Sequence, residues 1–229
     1  THKIKHDDQI FERTEFQDIP LLKRLKLKAY KQLGTSGGGN HFVEFGVARL
    51  TDANNEFDLP LGEYFAILSH SGSRGMGANI AKHYTQIATE MCRLPREARN
   101  LAWLSLDSEA GQEYWAAMTL AGDYASACHD HIHRRLAKAL GDKPIARVEN
   151  HHNFAWKEKL ANGSEMAAHV YLNTVTNLTV NDLAVGAYTN VRADGHSAFK
   201  EAIHINKIIA ASIEYAALIE ACRICEAGA

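Results

Sequence analysis

The sequence predicts an α+β fold, and three observations carry that expectation. Apolar runs of strand character stand at "HFVEFGVARL" (41–50), "EYFAILSH" (63–70) and "PIARVENHH" (144–152). Stretches of helical periodicity stand at 76–94, 108–142 and 197–228. The two kinds mix without the regular strand–helix–strand beat of a doubly wound parallel sheet.

Each element has a local reason. In "LGTSGGGNHFVEF" (33–45) three glycines run into Asn40 and His41, after which a strand-like alternation begins. A backbone without side chains reaches positive φ and lets a ligand come close. Its successive N–H groups can form a nest for an anion. His41 and Glu44 then set a nitrogen ligand and a carboxylate beside that nest, the setting in which a phosphate and a metal ion meet. A glycine turn leading into a strand with a buried histidine is the plainer alternative. "EYFAILSH" is apolar nearly throughout, as in a strand buried on both faces. "MGANIAKHYTQIATEMCRL" is a helix that stops before Pro95, and the longer helix after it starts at Ser108 as N-cap and ends at Gly141. "SAFKEAIHINKIIAASIEYAALIEACRICEAG" (197–228) reads as a further helix.

The bulk properties narrow the function classes. At 229 residues, 46% hydrophobic and 23% charged, the chain has the composition of a globular soluble protein with a sizeable core. It has no apolar run of membrane-spanning length. The opening "THKIKHDDQIFERTEF" has no signal-peptide apolar region, so a cytoplasmic setting is expected. The four cysteines, Cys92, Cys128, Cys222 and Cys225, are too few and scattered for a disulfide framework. Cys222 and Cys225 are expected to share one face of the last helix rather than bind zinc. A net charge of −2 excludes a broadly basic nucleic-acid binder but not a local patch. "LLKRLKLKAYKQ" holds five cations without an acid, and "HIHRRLAKAL" adds Arg134, Arg135 and Lys138. Such runs are more often solvated faces.

The thirteen histidines are the oddest feature of the composition. His41 begins one strand, His70 ends the second, and His151 and His152, followed by Asn153, end the third. Imidazole is the commonest metal ligand, and convergence of separate strand ends is a way to assemble a metal site. His83, His129, His131 and His133 lie inside helical patterns and are expected to be surface or packing residues. "HSGSRGMG" adds hydroxyls from Ser71 and Ser73, the planar fork of Arg74, and the N–H groups of a helix start, which together suit phosphate. It is neither a Walker A loop nor a dinucleotide fingerprint.

With "LGTSGGGNHFVEF", "LSHSGSRGMG" and "ENHHNFAWKE" in that order, the chain resembles the tRNA-splicing RNA ligase family RtcB. The likeness is clear over about residues 30–160. It implies an RtcB-like fold, mixed sheets flanked by helices around a central metal site, with residues 1–229 as a single catalytic domain. It implies a manganese-dependent enzyme that uses GTP: a histidine becomes guanylated, the guanylate activates an RNA 3′-phosphate, and a 5′-hydroxyl end is joined to it. A 2′,3′-cyclic phosphate end is first opened. By this resemblance His41, His70 and His152 would be manganese ligands, with His152 preferred to His151. Asn40, Glu44 and Asn153 would contact the guanylate or orient the ligands, and Arg74 would hold a nucleotide or RNA phosphate. The partners implied are RNA with 3′-phosphate or 2′,3′-cyclic phosphate and 5′-hydroxyl ends, with archease as a helper; no membrane is implied. Imidazole mixed with oxygen suits manganese and also admits zinc.

The chain also departs from the family pattern. The upstream cysteine ligand block, the His-Arg-Lys-Gly-Ala block and the His-Gly-Ala-Gly-Arg block that carries the guanylated histidine have no counterpart here, so the catalytic nucleophile is unknown. We expect the sequence to be a piece of a longer protein. Two alternatives stand beside the ligase: a metal-dependent phosphoesterase, and a non-catalytic RNA- or nucleotide-binding relative.

Overall fold

The structure, a computed structural model, describes residues 8–39, 41–55, 57–151, 154–159, 165–170, 178–181 and 214–222. Within them helices pack on one another and against an antiparallel sheet, an α+β arrangement. The helices are α1 (Glu15–Asp18), α2 (Pro20–Gln32), α3 (Arg74–Cys92) and α4 (Glu109–Leu140), with short 3-10 helices at Gln9–Glu12 and Arg96–Leu101. The strands are β1 (Phe42–Leu50), β2 (Gly62–Gly72), β3 (Ala146–His151), β4 (Phe154–Lys159), β5 (Glu165–Val170), β6 (Leu178–Asn181) and β7 (Glu214–Cys222).

The long helix has the ends its sequence predicts. The Ser108 side chain accepts from the Gly111 N–H, which satisfies one of the donors left over at a helix start. Gly141 closes the other end in the left-handed region (φ 75°), with its N–H on the carbonyls of Ala137 and Lys138. α2 was not singled out as a helix in the sequence. Its signals are Pro20 in the first turn and Leu22, Leu25 and Ala29 at helical spacing.

The main core gathers Phe16, Leu22, Ala29 and Leu33 from the first helices and their flanks with Ile80 and Tyr84 of α3. Ala117, Leu120 and Tyr124 of α4 complete it, with Phe154 of β4 at its margin. Burying each larger side chain contributes about 1.5–3 kcal/mol. Tyr124 closes the α2–α4 contact by donating its hydroxyl to the carbonyl of Ala29 at 2.7 Å.

The larger sheet runs β3-β7-β2-β1-β6, and every neighbouring pair in it is antiparallel. β2 holds the middle place and is buried along most of its length, as its unbroken apolar run predicts. β4 and β5 form a separate two-stranded sheet. One expectation is corrected. Within 197–228, the described residues Glu214–Cys222 form strand β7 between β2 and β3, not a helix. "EYAALIEAC" is apolar enough to satisfy either period, and a place between two strands settles the choice through ladder hydrogen bonds. Cys222 therefore ends a strand rather than lying in a helix; Cys225 lies outside the described residues. Among the described residues, no helix is long and apolar enough to cross a membrane.

Candidate phosphate and metal site

Strand pairing brings two of the predicted ligands, His41 and His70, together. Phe42 stands opposite His70 in the β1–β2 ladder, so the start of β1 and the end of β2 share one edge of the sheet. The rings of His41 and His70 lie 5.8 Å apart, tilted by 41°. Phe42 stacks on His70 at 5.6 Å. Both ring nitrogens of His41 are shielded from solvent. Glu44 is two positions along β1 from Phe42 and therefore on the His70 face of the sheet.

The third strand end arrives by register. Tyr215 of β7 stands opposite Ser71 of β2 on one side and His151 of β3 on the other. The end of β3 is thus two strand spacings, about 10 Å, from the end of β2. Both of β7's ladders shift register here, between Ser69 and Ser71 and between Val148 and Asn150, a bulge at the edge where the histidines gather. His152, Asn153 and Asn40 lie outside the described residues. Among the described residues no group of three or more His, Cys, Asp or Glu is placed to hold a metal ion. The structure therefore brings together two of the three predicted ligands. Two imidazoles from separate strands suit a divalent cation, and a third donor is needed to hold it.

Arg74 meets the glycine loop directly. A β-carbon on Gly37 (φ +107°) would lie 1.9 Å from Arg74 Nη1 and 2.4 Å from Cζ, so the guanidinium occupies the space a side chain would fill. Arg74 Nε donates to Thr35 Oγ1 at 3.1 Å, and no described residue accepts from its Nη groups. Arg74 itself has φ 57°, an uncommon conformation for arginine that the surrounding contacts must sustain. Ser71 Oγ donates to the carbonyl of Ser36 at 2.7 Å and ties the two loops together. The hydroxyls of Ser36 and Ser73, one on each loop, are buried without a hydrogen-bond partner among the described residues. Orphaned donors of this kind cost about 1–3 kcal/mol each, a cost that an anion accepting from them would relieve.

Behind β2 lies a buried polar group built on two histidines that sequence reading took for surface or packing residues. Ser69 Oγ is 2.6 Å from His129 Nδ1 and 2.7 Å from His133 Nε2, and all three residues are fully buried. His129 Nε2 lies 3.3 Å from the carbonyl of Ser71. Desolvation pushes the His129 pKa down to about 4, so its ring is neutral. Since a carbonyl can only accept, Nε2 carries the proton and Nδ1 accepts from Ser69. Ser69 Oγ in turn accepts from His133 Nε2–H. Sequence spacing puts His129 and His133 four apart on one helix face, but nothing local names Ser69 as their partner. His131, the third histidine of that stretch, is 2.8 Å from Asp8.

A surface depression lined by Asp8, Arg13, Asp123, Asp130 and Arg147 contains none of the predicted site residues. Its charges are paired, Arg13 with Asp123 at 2.6 Å, Arg147 with Asp130 at 2.8 Å and Asp8 with His131 at 2.8 Å.

Comparison with known proteins adds the following. A family model described as tRNA-splicing ligase RtcB matches residues 3–171, a longer span than the motifs alone delimit. A tRNA-splicing ligase RtcB of Pyrococcus abyssi is 33% identical over 115 residues, covering 46% of this chain and 12% of that protein. An RNA-splicing ligase RtcB homolog 1 of Entamoeba dispar is 29% identical over 121 residues, 52% of this chain and 23% of that protein. A tRNA-splicing ligase RtcB of Methanococcus maripaludis is 29% identical over 134 residues, 54% of this chain and 27% of that protein. The chain thus spans a quarter or less of the length of most of these curated relatives.

Proposed function

The chain belongs to the RtcB family, that of the tRNA-splicing ligases, and from that premise we propose that it acts in RNA ligation. In this reading an RNA 3′-phosphate or 2′,3′-cyclic phosphate end is joined to a 5′-hydroxyl end with GTP and manganese, by way of a guanylated histidine. The observation that carries it is the juxtaposition of His41 and His70, 5.8 Å apart, at the end of a ladder whose adjoining loops seat Arg74 on Gly37.

Each residue has a proposed task. His41, His70 and His152 hold the metal ion, which when bound would supply charge neutralisation and polarisation of a phosphoryl oxygen. Phe42 fixes the plane of the His70 ring by stacking on it. Asn40, Glu44 and Asn153 orient the ligands or contact the guanylate. Arg74 presents its Nη groups to a phosphate, and the hydroxyls of Ser36 and Ser73 are the nearby unsatisfied donors. The histidine that becomes guanylated is assigned to no residue of this chain. Archease as a helper and a cytoplasmic setting belong to the same reading.

Incubation of the full-length protein with manganese and α-labelled GTP tests it. Acid-labile label on a histidine supports ligation. Phosphate release from RNA ends without label identifies a phosphoesterase, and RNA binding with neither activity identifies a non-catalytic relative. Loss of labelling on chelation, restored by manganese and not by zinc, fixes the metal.

A further inference from the structure

Outside the histidine pair, the most one-sided feature of the chain is α2. From residue 19 to residue 43 there are five lysines and arginines and no acid, in a chain of net charge −2. At 3.6 residues per turn Arg24, Lys28 and Lys31 fall in one arc of about 60° along about 10 Å of helix, on the side away from buried Leu22 and Ala29. All three are exposed, and none pairs with an acid among the described residues. Lys26 is differently placed, with its Nζ 5.5 Å from the centre of the Phe16 ring. Like charges at this spacing repel, so the stripe opposes helix formation until an anion covers it.

The stripe runs into the phosphate loops. A β-carbon on Gly75 would lie 2.6 Å from Lys28 Cε and 2.9 Å from Nζ, which sets that ammonium beside the residue next to Arg74. Gln32, one turn on, accepts the Gly75 N–H at 3.1 Å. On the α4 side, Arg135 Nη1 donates to the carbonyl of Gly34 at 3.2 Å. Cations therefore continue from α2 around the loop to Arg74.

We propose that Arg24, Lys28 and Lys31 form a track for the RNA backbone, leading the strand away from the phosphate held by Arg74 beside the Gly37 loop. The proposal rests on the ligase reading above. Continuity with the phosphate loops favours a nucleic-acid strand over an anionic membrane. A membrane-binding helix presents a continuous apolar face to the bilayer, whereas Leu21, Leu22 and Leu25 of α2 pack in or against the protein core and a single leucine of the helix, Leu27, is exposed.

Binding of a 5′-hydroxyl, single-stranded RNA of about 20 nucleotides by fluorescence anisotropy across a salt series provides the test. Each phosphate neutralised on a single strand contributes a slope of about −0.7 in log affinity against log salt. The triple variant R24Q/K28Q/K31Q should therefore show a slope shallower by about 2 and weaker binding by roughly 10- to 100-fold at 0.1 M salt. Its GTP affinity should match the wild type. Equal slopes in the two proteins overturn the track while leaving the ligase reading intact. Failure of the wild type to bind RNA overturns both. A parallel loss of GTP binding shows that the three residues act through the loop and overturns a separate track. Salt-sensitive binding to phosphatidylserine vesicles in place of RNA assigns the stripe to a membrane and overturns it too.

Discussion

The hydroxyl of Ser69 stands 2.6 Å from Nδ1 of His129, the middle link of a hydrogen-bond chain running from α4 to the glycine loop whose direction the Ser71 carbonyl fixes. His133 donates to Ser69, Ser69 to His129, and His129 to the carbonyl of Ser71, whose hydroxyl donates to the carbonyl of Ser36. The strand carrying His70 is thus pinned on both sides of that residue. Ser69→Ala leaves two buried ring nitrogens without their partner. Unfolding in urea should show a loss of about 2–4 kcal/mol. A loss under about 0.5 kcal/mol would mean the chain adds nothing to stability.

The same histidine gives a pH dependence whose sign follows from its neutrality. His129 is held near pKa 4 in the fold against 6.5 when solvated. Below pH 6.5 the unfolded chain gains a proton that the folded chain refuses until about pH 4, so stability falls through that window. The shift corresponds to a maximum of about 3 kcal/mol. A plot of wild-type minus H129Q stability should therefore decline from pH 7 to pH 4 and flatten below. A difference independent of pH would show that the ring titrates alike in the folded and the unfolded chain.

How much of this was legible in the sequence depends on whether the cause was local. Ser108 and Gly141 are read from their neighbours, and the long helix begins and ends where they place it. The pairing of His41 with His70 followed from two strands and a motif, each readable in place. β7 was not legible, because "EYAALIEAC" satisfies two periods and only the strands on either side decide between them. Nor was the His129 network, since residues 60 apart in the chain meet only after α4 lies on β2. Arg74 was readable as a phosphate group, but its seat on Gly37 is a tertiary contact between loops 37 positions apart.

That seat makes a pair of glycine substitutions informative. Gly37→Ala sets a β-carbon 1.9 Å from Arg74 Nη1, at φ +107°, and must displace the guanidinium from Thr35. Gly38→Ala meets nothing within 4 Å. The first should cost about 1–3 kcal/mol of stability and weaken GTP binding, as should Arg74→Ala without the backbone strain. The second should leave GTP binding close to the wild type. Calorimetric titration of both variants with GTP reads the difference, and equal affinities would detach the loop from phosphate binding.

The metal assignment has the sharpest internal control, because two neighbouring histidines are given opposite roles. A ligand set of three or four cannot lose a member without also freeing its neighbours, and even an outer-shell partner is worth 10–100-fold in metal affinity. Replacing His41, His70 or His152 by Ala should therefore weaken manganese binding by at least that factor. Replacing His151, which stands opposite Tyr215 in the ladder, should leave manganese binding near the wild type, as should Arg74→Ala. Free manganese is counted directly by its paramagnetic resonance signal during titration, and thermal melts of each variant confirm that the fold persists. Wild-type manganese affinity in all three of the first set would dissolve the metal site. Loss of affinity in His151→Ala with none in His152→Ala would instead move the third ligand one residue back along the chain.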